Sequence, residues 1–154
     1  MTHPKPLTPL TPPTPPTPPT PANPRRMTEV TGAEALWLLE GAAQGRLVHA
    51  RREQTLVRPA VHVMEYGRLV VRAPVQADVL SGRPALTYHA DEIGTGAGGG
   101  WSVTVTGPAE PVGDAEAAHY RRTLPGWTYG PHDTLLRITP QSVTGYRLGT
   151  AAAR

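Results

Sequence analysis

The chain contains no cysteine and no phenylalanine, and its only lysine is Lys5. Lack of cysteine excludes disulfides, thiolate metal sites and a cysteine nucleophile. No apolar run approaches the ~20 residues that span a bilayer as a helix. The N-terminus lacks the apolar stretch of a secretory signal, so a cytoplasmic location is expected. There is no P-loop, no G-x-S-x-G elbow, and no pair of carboxylates that could be assigned to glycoside chemistry.

Proline, in contrast, is abundant. Eleven of the nineteen prolines fall in "HPKPLTPLTPPTPPTPPTPANP", which carries a T-P-P repeat. Proline has no amide donor and a fixed φ, so this stretch favours extended polyproline II and cannot build a core. Residues 1–26 therefore read as a disordered Pro/Thr-rich arm. Two other readings are a gene start placed too early, with Met27 the true one, and an arm that docks in an aromatic-lined groove. Residues 27–154 form the folded domain, long enough for one core.

The net charge of +3 belongs to the arm. Without Lys5, Arg25 and Arg26, twelve of the fifteen basic residues remain, against twelve Asp and Glu. A neutral domain argues against a nucleic-acid partner, which would call for a basic face. No membrane partner is expected either.

Thr31 and Glu34 form a T-x-x-E capping box ahead of an apolar helical stripe, predicting a helix near 32–43. After Gly45 the apolar period changes to two. Strands are expected in "GRLVHA", "TLVRPAVHVMEY", at 68–73, and in "PALTYHADE", "WSVTVTGPAEPV" and "DTLLRITP", with a short closing strand in "SVTGYRLG". One helical turn before Gly82 and a helix in "DAEAAHYRRT" complete the pattern. Short strands at even spacing with few helices predict an antiparallel barrel or sandwich.

"GTGAGG" fits G-x-G-x-x-G at Gly94, Gly96 and Gly99. A dinucleotide-binding loop must open a helix, whose N-terminus holds the pyrophosphate. Here Trp-Ser-Val-Thr-Val-Thr follows, which is strand-like, so the glycines read as a hairpin loop. His49, His62 and His89 sit on three different strands with no metal-ligand spacing.

Taken in order, "GRLVHA", "VRPAVHVMEYGRLVVRA", "PALTYHADE", "GWSVTVTGPAEPV" and "DTLLRITPQSVTGYRL" resemble the pyridoxamine 5'-phosphate oxidase-like flavin-binding split barrels over about residues 30–148. The resemblance implies a mostly β fold, a six-stranded antiparallel split barrel with two or three short helices. It implies a homodimer with FMN, or in some branches a deazaflavin or haem, bound between the subunits. It implies a flavin-dependent oxidoreductase acting on a small molecule, or a non-catalytic flavin-binding or storage protein.

The resemblance places Arg58, Pro59, Val61 and His62 beside the isoalloxazine ring. Arg72 and Ala73 fall where the family has an Arg-Thr pair. Gln76 falls near a phosphate-binding lysine, with Asp78 close by. Replacing that cation by glutamine would cost about 1.5–3 kcal/mol of charge-assisted bonding, which Arg72 or Arg58 could restore. Trp101 and Ser102 open a strand and point to opposite faces. Trp127 and Tyr129 lie in a turn-rich loop that either covers a ring-shaped ligand or caps the core.

Overall fold

A computed structural model describes residues 2–20, 24–82, 85–94, 99–128, 130 and 132–150. Residues 2–20 form neither helix nor strand and are exposed throughout. Strand β1 (Arg25–Val30) begins ahead of Met27, and Arg25 and Arg26 pair with Thr150 and Gly149. Helix α1 (Gly32–Glu40) starts as the capping box predicts, with Thr31 Oγ1 accepting from the Glu34 amide at 3.2 Å.

Eight further strands follow: β2 (Gln44–Arg51), β3 (Gln54–Glu65), β4 (Arg68–Ala73), β5 (Leu86–Ile93), β6 (Gly100–Gly107), β7 (Ala109–Pro111), β8 (Thr134–Ile138) and β9 (Ser142–Thr150). A 3-10 turn at Ala77–Leu80 follows β4, and α2 (Asp114–Thr123) lies between β7 and β8. All pairings are antiparallel, in the order β1-β9-β6-β5-β2-β3-β4-β8-β7.

Among the described residues nine strands stand where the family resemblance implies six. β1 adds an edge strand from a segment read as arm. Pro108, which has no amide donor, separates β6 from β7. Among the described residues no ladder joins β1 to β7, so the sheet is open rather than a closed barrel. Inward residues of distant strands nevertheless share one core: Leu69, Val71, Leu136 and Ile138 of β4 and β8 with Tyr88, Val103 and Val105 of β5 and β6. The sheet therefore curls around its own core.

Ala35, Leu38 and Leu39 of α1 join that core. Gly145 lets the helix approach β9, because a Cβ there would lie 2.6 Å from Ala35 Cβ. Helix α2 packs on the opposite face of β4 and β8, where Tyr120 and Leu124 cover Val70 and Leu135. As a result every residue of β4 after Arg68 is buried. Pro59 sits on β3 before the β3–β4 ladder begins at Val61, where β3 has a neighbour on one side only.

The glycine-rich stretch joins β5 to β6 as a hairpin, with Ile93 opposite Gly100. A strand follows it, as the alternation predicts. Gly96 lies outside the described residues.

Candidate functional site

The β2–β3 hairpin organises the candidate site. Its register sets Leu47 opposite Arg58 and His49 opposite Leu56. Opposed residues share a face, so His49, Arg51, Leu56 and Arg58 line up with the core-facing Leu47 and Ala60. Beyond the edge of the core they meet the turn after β4. Arg51, Arg58, Gln76, Asp78 and His132 line a cavity of about 300 Å³ there. The opposite face of the hairpin carries a second cavity of about 420 Å³, lined by Arg46, Val57, Pro59, Asp91 and Trp127 among others.

In the first cavity, the Gln76 amide bridges two groups. Its oxygen accepts from His132 Nε2 at 3.0 Å, and its nitrogen donates to Asp78 Oδ2 at 3.1 Å. Asp78 is thereby held by Gln76, on the cavity wall it shares with Arg51 and Arg58. Arg58 donates from NH1 to its neighbour's carbonyl, Val57 O, at 3.1 Å. Neither Arg51 nor Arg58 forms an ion pair among the described residues.

Arg72 behaves differently. It is 8% exposed, and its guanidinium grips Asp133 through Nε at 2.8 Å and NH2 at 2.6 Å. NH1 donates to Leu124 O at 2.6 Å and to Arg121 O at 3.3 Å. The Arg72 bond, with its charge, holds the Asp133 carboxyl below the usual carboxylate range. Arg72 thus fastens the C-terminus of α2 to β4, a structural role that leaves little of the guanidinium for a ligand. Its backbone carbonyl accepts from Trp127 Nε1 at 3.0 Å, which fixes the indole at the second cavity.

His62 is also structural. It is 3% exposed, with Nδ1 2.5 Å from Tyr88 Oη and Nε2 2.9 Å from Leu39 O. Because a carbonyl only accepts, Nε2 carries the proton, and Nδ1 accepts from the tyrosine. Burial lowers the His62 pKa below 6.5 and raises that of Tyr88, so both stay neutral. Gly45 makes room for this pair: a Cβ there would lie 2.7 Å from Tyr88 Oη. Both ring nitrogens are engaged inside the core, which leaves none to bond a flavin.

The other residues singled out from sequence are dispersed. Ala73 is fully buried in the main core, and Val61 packs against the α2 cluster. Trp101 packs on the main core beside α1, away from both hairpin cavities, and Ser102 takes the opposite face of β6. The structure therefore brings Arg58 and Gln76 together in one cavity, and Pro59 and Trp127 in the other. Tyr129 lies outside the described residues.

Several partners escaped sequence reading. Arg51 shares the Arg58 cavity, and Asp133 neutralises Arg72. Asp91 joins the second cavity through a network in which it accepts from Arg46 NH1 and His89 Nε2, both at 3.0 Å. Desolvation works to raise the Asp91 pKa, but these two bonds outweigh it and the net shift is downward. The face shared by Arg51 and Arg58 follows from hairpin register, and the turn hides that register. Arg52 and Glu53 take φ of 49° and 64°, a conformation that sequences normally announce with Asn-Gly.

Residues 31–147 match the family model described as pyridoxamine 5'-phosphate oxidase. The chain belongs to this family. One relative within reach of the family member is an uncharacterized protein of Mycobacterium tuberculosis, 36% identical over 132 residues, covering 80% of this chain and 87% of that one. A solved structure from Corynebacterium glutamicum, described as a candidate pyridoxamine 5'-phosphate oxidase, is 26% identical with a TM-score of 0.62; the match covers 82% of this chain and 96% of that chain. A FAD-binding protein from Mesorhizobium loti shares the fold at 19% identity and TM-score 0.61, over 81% of this chain and 98% of that one.

Proposed function

We propose that this family member binds a flavin, in the form of FMN, and serves as an oxidoreductase for a small molecule. It acts as a homodimer with the cofactor between the subunits. The observation that carries the reading is the cavity where Arg51 and Arg58 face the turn after β4. That turn is where the family resemblance implies a phosphate-binding lysine, and here it holds Gln76 and Asp78. Two guanidiniums across the cavity replace the missing cation, and guanidinium suits a phosphate through paired donors.

The chain fits such a group in part by itself. About 300 Å³ lies at the small end of ligand cavities, which is consistent with a second subunit completing the site. A bound flavin would supply hydride or single-electron transfer, and the protein's share is binding, orientation and electrostatics. Arg51 and Arg58 hold the anionic end. On the other face of the hairpin, Pro59 and the hydrogen-bonded Trp127 offer rigid apolar surface. Support for the flavin class also comes from the fold shared with the FAD-binding protein of Mesorhizobium loti.

A second reading is a flavin carrier without turnover. The lysine-free phosphate turn favours it, because weaker phosphate binding suits exchange of the cofactor. Purifying the full chain and recording its absorbance tests the common part. The expected result is a flavin spectrum, as isolated or after addition of FMN or FAD. A colourless protein that neither flavin reconstitutes overturns both readings. Reduction by a nicotinamide cofactor, then reoxidation by an added acceptor, supports the oxidoreductase; a flavin that exchanges but is not reduced supports the carrier.

A further inference from the structure

Apart from the two hairpin cavities, α1 and β6 form an aromatic notch. Trp37, Leu38, Gly41 and Trp101 line about 320 Å³, with Glu40 and Glu92 on its rim. Trp37 is 66% exposed, an unusual position for a large indole on a helix that buries Ala35, Leu38 and Leu39. Two indoles with carboxylates at the edge make a surface suited to a basic, proline-rich segment. Polyproline II helices dock on such aromatic grooves at low entropic cost, because they are already extended.

The chain carries such a segment. From Lys5 to Thr20, every third residue is Lys5, Thr8, Thr11, Thr14, Thr17 or Thr20. Polyproline II has three residues per turn, so these align on one edge and leave prolines, with Leu7 and Leu10, along the rest of the helix. Each turn repeats after about 9 Å, and from Pro12 to Pro19 each presents the same proline pair. Leu7 and Leu10 are each 97% exposed, so the domain covers neither. The proline-rich segment carries one charge, the Lys5 cation, and no acid, whereas the charged residues lining the notch are both acids.

We propose that the Trp37–Trp101 notch binds the proline-rich arm of a second copy of this chain. Proline rings pack between the indoles, and Lys5 faces Glu40 and Glu92. The contact is independent of flavin.

The test follows tryptophan indole N–H signals of the isotopically labelled full chain by NMR, with a synthetic peptide of residues 4–20 as the probe. The expected result is that the Trp37 and Trp101 signals move with protein concentration and on adding peptide, while Trp127 does not. Trp37→Ala, at an exposed site, should weaken peptide binding about tenfold or more. Glu40→Gln with Glu92→Gln should weaken it several-fold and reduce its salt dependence. Signals unmoved by dilution and by peptide overturn the proposal. So does a shift that disappears on deleting the arm and is not restored when unlabelled full chain is mixed with labelled arm-deleted chain, because that assigns the notch to the chain's own arm.

Discussion

Asp133→Asn should destabilise the fold by about 2 kcal/mol. Removing one partner of a buried ion pair costs about 3–5 kcal/mol, because the other charge is left uncompensated. Arg72 is that buried partner, at 8% exposure, but the Asp133 side chain retains 29%, so water recovers part of the loss. Asparagine keeps the shape and one acceptor, and it turns its amide nitrogen towards an NH2 donor that has carried the 2.6 Å contact. For a domain of this size 1 kcal/mol moves Tm by about 4 °C, so a fall of about 8 °C is expected. Arg72→Ala should cost more, because Leu124 O also loses its 2.6 Å donor. Urea unfolding of both single variants and the double variant measures the coupling. A Tm for Asp133→Asn within 1 °C of the parent would refute the structural role given to Arg72. The pH sign follows from the lowered Asp133 pKa. The stabilisation is present above the ordinary carboxylate value of 3.8 and is lost as pH falls below it, through the folded pKa.

His62 gives a second pH dependence. Its folded pKa lies below 6.5, so its contribution is whole above pH 6.5 and declines as pH falls towards the folded value. Chemical denaturation between pH 7.5 and pH 5 should show that decline, and His62→Gln should flatten it. Gly107→Ala should unfold the protein or lower its stability severely, since the new Cβ would lie 1.8 Å from Thr139 O; thermal melts report it. Glu53→Gly should raise stability by about 1 kcal/mol by relieving the positive φ in the β2–β3 turn, and an unchanged melting curve would refute the strain.

Much of the fold was legible because period-2 alternation and Gly or Pro punctuation are local signals. The alternation marks β4 residue for residue, and the Thr31–Glu34 capping box marks the start of α1. The β1 edge strand was not legible, since Arg25 and Arg26 follow a proline tract and read as part of it. Only pairing with β9 makes them strand. The site was legible in types more than in roles. Arg58 and Gln76 share a cavity, but the sequence makes Arg72 an equally good phosphate candidate, and only the fold brings Asp133 to it. That partner is 61 residues away, and no spacing rule connects the two. His62 shows the same limit, because its role depends on Tyr88 and Leu39 O arriving from other elements.

The most direct test of the account compares FMN with riboflavin, which lacks the phosphate, by titration calorimetry on the full chain. The parent should bind FMN more tightly than riboflavin. Arg51→Ala and Arg58→Ala should each weaken FMN by about tenfold, on the scale of a charge-assisted hydrogen bond of about 1.5–3 kcal/mol, and leave riboflavin unchanged. Equal affinity of the parent for the two, or loss of FMN selectivity in neither variant, would contradict the phosphate site formed by β2 and β3.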